Sequence, residues 1–142
     1  MSLPAERLKP LVDLAGVEGH EAALRLAQSQ AEVVRAEREL ERISQYLGEY
    51  RLPATGAVSS GRLQSDRAFL SRLAELVEVQ AARLATVRER HESIVIEWQQ
   101  AHRRDQALNK LYEKYLYQAL ADADRRQQES MDELLVRWLD GN

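Results

Sequence analysis

The chain has 142 residues, a formal net charge of −3 and no cysteine. That excludes a disulfide framework and a thiolate metal site, and the interleaving of both charge signs argues against the clustered basic face of a nucleic-acid binder. Hydrophobic residues make up 44% but aromatics only 6%, with 30% charged, a balance that suits helices with narrow apolar stripes better than a thick core.

The first predicted element is a helix over about residues 4–51. From Leu8 a 4-3-4-3 spacing selects Val12, Ala15, Gly19, Ala22, Leu26, Ser29, Val33, Ala36, Leu40, Ile43, Leu47 and Tyr50, apolar except at Gly19 and Ser29. A period of 3.5 residues held over six heptads marks a supercoiled helix. Charges fill the intervening positions, with Arg35–Glu39 and Glu39–Arg42 at spacings where opposite signs support a helix. Pro10, Gly16 and Gly19 weaken the start, so the first two turns are expected to fray.

A turn is expected over about 52–62. Pro53 pushes Leu52 out of helical geometry, while Gly56 and Gly61 permit conformations closed to other residues. The stretch Gly56–Arg62, GAVSSGR, superficially resembles a phosphate-binding loop. Such a loop needs a lysine and then Ser or Thr after its last glycine, and a strand before it. Here Arg62 and Leu63 take those places and a helix precedes them, so the stretch reads as a turn.

The second helix is expected over about 63–139, capped by Ser60 or Ser65 at its start and by Gly141 at its end. Its seam runs from Leu70 through Leu73, Val77, Gln80, Leu84, Val87, His91, Ile94, Trp98, Ala101, Asp105, Leu108, Tyr112 and Tyr115 to Ala119. Gln80, His91 and Asp105 are polar there and are expected to set register. The pattern loosens after Ala119 and resumes at Met131, Leu134 and Trp138. Together the elements predict an all-α fold: one antiparallel coiled-coil hairpin domain whose second helix is longer. Leu8 is then expected near Ala101 to Leu108.

Two features are left over. At 1.5 Å per residue the arms would measure ~70 and ~110 Å, leaving ~40 Å of the second unpaired, with Leu111, Tyr115, Leu116, Leu120, Leu134, Leu135 and Trp138 on it. That segment must fold back, pair with another copy or insert into a partner. Near the turn, Ile43, Tyr50, Leu73 and Gln80 belong to the seams, whereas Tyr46, Phe69 and Leu76 lie beside them. Those three either thicken the core or form a docking edge.

Catalysis has little support. His20, His91 and His102 show no metal-ligand spacing, and a slender hairpin has no dry pocket to tune its carboxylates. No cofactor is expected. The N-terminus has no signal-peptide core, and no run has the eighteen or so apolar residues needed to cross a bilayer. A cytoplasmic protein without membrane insertion is expected, and docking on a membrane-bound partner remains open.

The stretches LERISQYLGEYR and DRAFLSRLAELVEVQ, then Trp98 and MDELL near the end, resemble the FliJ family of bacterial flagellar export proteins over roughly Leu8 to Val136. The more specific pieces are Tyr46-x-x-Glu49-Tyr50, Phe69 with Leu73 and Gln80, Trp98, and Met131-Asp132-Glu133. The resemblance implies a coiled-coil stalk seated in the pore of the hexameric export ATPase, in contact with the cytoplasmic domain of the membrane export gate. It also implies binding to escort chaperones of late export substrates and peripheral association with the export apparatus. The family's gate-contact patch falls on Ile43, Tyr46, Tyr50, Phe69 and Leu73, with Leu76 and Gln80 at its edge. The open end of the hairpin would enter the ATPase ring, with charged flanks at Arg103, Arg104, Lys110, Lys114, Arg125 and Arg126. The stalk of a virulence-type injection apparatus would share this architecture, and a generic coiled-coil dimer scaffold is a further alternative.

Overall fold

In a computed structural model, residues 3–51 and 60–141 are described. Two helices account for nearly all of them: α1, Pro4–Arg51, with 48 residues, and α2, Ser60–Asp140, with 81. The expected turn lies largely outside the described residues. Within them, α2 begins three residues before position 63. Gly61 is already helical, and Ser65 is no cap: its hydroxyl donates back to the Gly61 carbonyl at 3.1 Å.

The expected fraying is not seen, since α1 is helical from Pro4 onward. Pro4 occupies the first helical position, where a missing N–H costs nothing, and the Arg7 amide closes the first turn on the Leu3 carbonyl at 3.2 Å. Burial of Ala5, Ala15 and Ala22 supplies the tertiary packing that overrides local propensity. At its other end α2 stops where expected: the Gly141 amide donates to the Arg137 carbonyl at 2.9 Å.

Contacts divide the chain into two compact units, residues 1–21 with 99–142 and residues 22–98. In the 22–98 unit the helices run antiparallel. Tyr50 meets Phe69, Glu39 meets Gln80, and Ser29 meets His91. Val33, Ala36, Leu84 and Val87 form its buried cluster, with Leu40 packed against it. Every described seam position is buried or half-buried except Tyr50.

His91 is an internal polar contact. The Ser29 hydroxyl lies 3.0 Å from the Leu26 carbonyl and shares a hydrogen bond with His91 Nδ1 at 2.6 Å. Gln80, 8% exposed, donates its amide to Glu39 at 3.0 Å. Each buried polar group on this seam thus has a partner, as burial demands.

In the other unit the helices are again antiparallel, with Lys9 over the Tyr112 ring at 5.7 Å and Arg104 bridging to Glu18 at 3.6 Å. Leu8 lies with Leu111 and Tyr115 around a small open hollow, not beside Ala101 to Leu108 as expected. The sequence-based register took the turn as its reference, whereas the observed register follows the polar seam positions.

Asp105 lies against Gly16 and Gly19. A methyl group at Gly19 would sit 3.7 Å from the nearest Asp105 oxygen, and one at Gly16 4.0 Å from Asp105. Both are ordinary contact distances, so alanine fits. Gly19→Ala is expected to stabilise the helix by ~0.5–1 kcal/mol and to raise the melting temperature measured by circular dichroism. A lower melting temperature would show that the notch needs glycine.

Beyond Ala121, every described residue of α2 through Asp140 is exposed. The segment does not fold back, because α2 continues unbroken to Asp140. Its apolar side chains include Leu134 at 63% exposure and Trp138 at 69%. At about 100° per residue, Leu120, Met131, Leu135 and Trp138 lie more than ~100° around the helix from the Tyr112–Tyr115–Ala119 seam. The resumed pattern is therefore out of phase with the seam, and a longer first helix would not cover it.

Candidate partner-docking surface

Docking anchors need apolar rings held in place by the scaffold yet open to solvent. The 22–98 unit provides them on two rows, each one residue before the seam positions. On α1 the row carries Arg35, Glu39, Arg42 and Tyr46. On α2 it carries Phe69, Arg72, Leu76, Val79 and Arg83. In an antiparallel pair, equivalent flanking rows line the same interhelical groove. The Glu39–Gln80 and Glu32–Arg90 contacts bridge this side.

The sequence-predicted site residues separate into three groups. Tyr46, Tyr50, Phe69 and Leu76 are exposed, at 53%, 51%, 44% and 51%. Tyr50 and Phe69 come together edge-to-face across the helices, with ring centroids 4.8 Å apart and planes at 63°. Ile43 and Leu73 are half-buried on the seam and form the floor. Gln80 is buried, and its amide donates to Glu39 across the helices.

The exposure of Tyr46, Phe69 and Leu76 answers the alternative that they thicken the core: large parts of all three face solvent. Val79, 65% exposed, extends the same row and was missed by the sequence reading. The signal was present in the 3-4-3 spacing of Phe69, Arg72, Leu76 and Val79, which repeats the seam's rhythm one residue earlier.

Among the described residues no group of three or more His, Cys, Asp or Glu is placed to hold a metal ion. None of the described helices is long and apolar enough to cross a membrane. What the geometry provides is an elongated surface suited to macromolecular contact, with apolar anchors and an open polar groove beside them.

The family described as Flagellar FliJ protein matches residues 4–139, nearly the whole chain. The chain belongs to the FliJ family. FliJ membership makes it a component of the flagellar export apparatus, and the paired helices, the second longer, agree with the fold expected from the resemblance. No curated protein matches the chain.

Proposed function

We propose that this FliJ-family protein is a non-enzymatic stalk that couples the hexameric export ATPase to the cytoplasmic domain of the membrane export gate and receives escort chaperones of late substrates. The observation that carries the reading is the exposed apolar edge at Tyr46, Tyr50, Phe69 and Leu76. Tyr46, Phe69 and Leu76 lie outside the seam, and Tyr50 is its exposed position nearest the turn. Covering them removes apolar surface from water at ~25 cal/mol per Å², which makes them suitable gate anchors.

The ATPase is assigned to the other unit. Leu134, Leu135 and Trp138 are all more than half exposed on a helical segment that projects past the start of α1. A ring pore lined with complementary surface would cover such a segment from all sides, which suits apolar residues that do not share one face. The protein's place in this scheme is at the cytoplasmic side of the membrane, held there through its partners.

Capture of each partner by the full-length chain tests the assignment. Leu135→Asp combined with Trp138→Asp is expected to lose the ATPase and retain the gate domain. Phe69→Ala is expected to do the reverse, with helicity by circular dichroism unchanged in both. If the wild-type chain captures neither partner, or if both variants retain both, the reading is wrong.

A further inference from the structure

The groove beside the apolar edge has a charge imbalance that the proposed gate contact does not explain. It is an open cleft of about 430 Å³, walled by Glu32, Arg35 and Glu39 of α1 and by Arg83, Thr86 and Arg90 of α2. Its carboxylates are engaged: Glu32 with Arg90 at 3.9 Å, and Glu39 with the Gln80 amide. Its arginines are largely not. Arg35 and Arg83 are exposed and have no ion pair or hydrogen bond among the described residues, and the same holds for Arg42 and Arg72 on the continuation of the two rows.

The composition of these rows sharpens the imbalance. From Phe69 to Arg90 the α2 row contains no Asp or Glu, although the chain as a whole is net negative. On the α1 row Glu49 is the carboxylate without an ion pair or hydrogen bond among the described residues. Cations without an ion pair among the described residues also occur elsewhere, as at Arg25, Arg38 and Arg67; here they share two rows with exposed apolar side chains. Leaving four guanidinium groups unpaired beside exposed Phe69, Leu76 and Val79 creates a surface complementary to carboxylates that follow apolar residues.

We propose that this groove binds an acidic segment of a protein partner, whose apolar residues cover Phe69, Leu76 and Val79 while its Asp or Glu side chains pair with Arg72, Arg83 and Arg35. The proposal rests on the gate-contact reading and adds the chemistry of what is bound. An acidic protein segment fits better than nucleic acid, because the cations alternate with exposed aliphatic side chains in place of forming a continuous basic track. At one heptad apart, Leu76 and Arg83 are separated by ~10 Å along the helix. The occupant should therefore place its carboxylates about that far from its apolar anchor.

The probe is the purified cytoplasmic domain of the export gate, titrated against the full-length chain over a salt series. Arg35→Glu with Arg83→Glu is expected to weaken binding by about tenfold or more and to flatten the salt dependence, while the Lys/Lys double variant stays near wild type. Both substituted positions are exposed, and circular dichroism checks the fold. Wild-type affinity in the charge-reversed variant, with binding lost in Phe69→Ala, would overturn the acidic-segment proposal and leave the gate reading intact. Unchanged binding in both would overturn both. Displacement of the gate domain by a single-stranded oligonucleotide at equal concentration would assign the groove to nucleic acid and also overturn it.

Discussion

Leu84→Ala is expected to destabilise the 22–98 unit by ~2–4 kcal/mol. Leu84 is 5% exposed and packs with Val33, Ala36 and Val87. Two of its neighbours are no larger than valine and another is alanine, so little side-chain volume is available to refill the space. A two-helix seam has no second layer of core to collapse inward. Set against a typical domain stability of ~5–15 kcal/mol, such a loss is large. Urea melting followed by helicity should show it, with Leu120→Ala as the control. Leu120 is 67% exposed, and its replacement should cost less than ~0.5 kcal/mol. Equal effects at the two positions would mean that the Val33–Leu84 cluster is not what holds the helices together.

Combining Tyr46→Ala with Phe69→Ala should have the opposite profile, leaving the fold intact while binding is lost. The two side chains are 53% and 44% exposed. The main internal contact surrendered is the edge-to-face pairing of Phe69 with Tyr50, worth ~0.5–1.5 kcal/mol. If each ring is covered by the gate domain, the desolvation forfeited is ~1.5–3 kcal/mol apiece. Affinity for that domain should therefore fall on the order of 100-fold or more. Isothermal titration with the double variant, alongside a melting curve, separates the two effects. Retained affinity would remove these residues from the contact.

The paired seams were legible because a period of 3.5 residues needs no knowledge of the partner helix. Each position predicted from Leu8 to Leu47 and from Leu70 to Ala119 is buried or half-buried. Register was harder to read. Turn length fixes it poorly, and Leu8 meets Leu111 and Tyr115, further along α2 than expected. The missing information lay in the exceptions. Gly19 and Ser29 interrupt the first seam, and Asp105 and His91 interrupt the second. The structure brings Gly19 to Asp105 and Ser29 to His91. Matching irregularities across two otherwise uniform stripes would have set the alignment.

The docking surface was only half visible for a related reason. Tyr46, Phe69 and Leu76 stood out as apolar residues beyond what a seam requires. Val79 and the arginines did not, because a flanking row acquires meaning only once the opposite helix shows which charges are already paired. Gln80 illustrates the converse. In one dimension it neighbours the patch, whereas in space it is buried and its amide donates to Glu39.

The Ser29–His91 and Glu39–Gln80 contacts also limit how this unit can move. Sliding one helix by a heptad would bring Ala22 or Ala36 opposite His91, leaving an imidazole and a serine hydroxyl without each other in the interior. Coiled coils that signal by shifting between staggers keep such positions interchangeable, and this one does not. A load on either helix of this unit meets both contacts at once, so a one-heptad slip would break the two together.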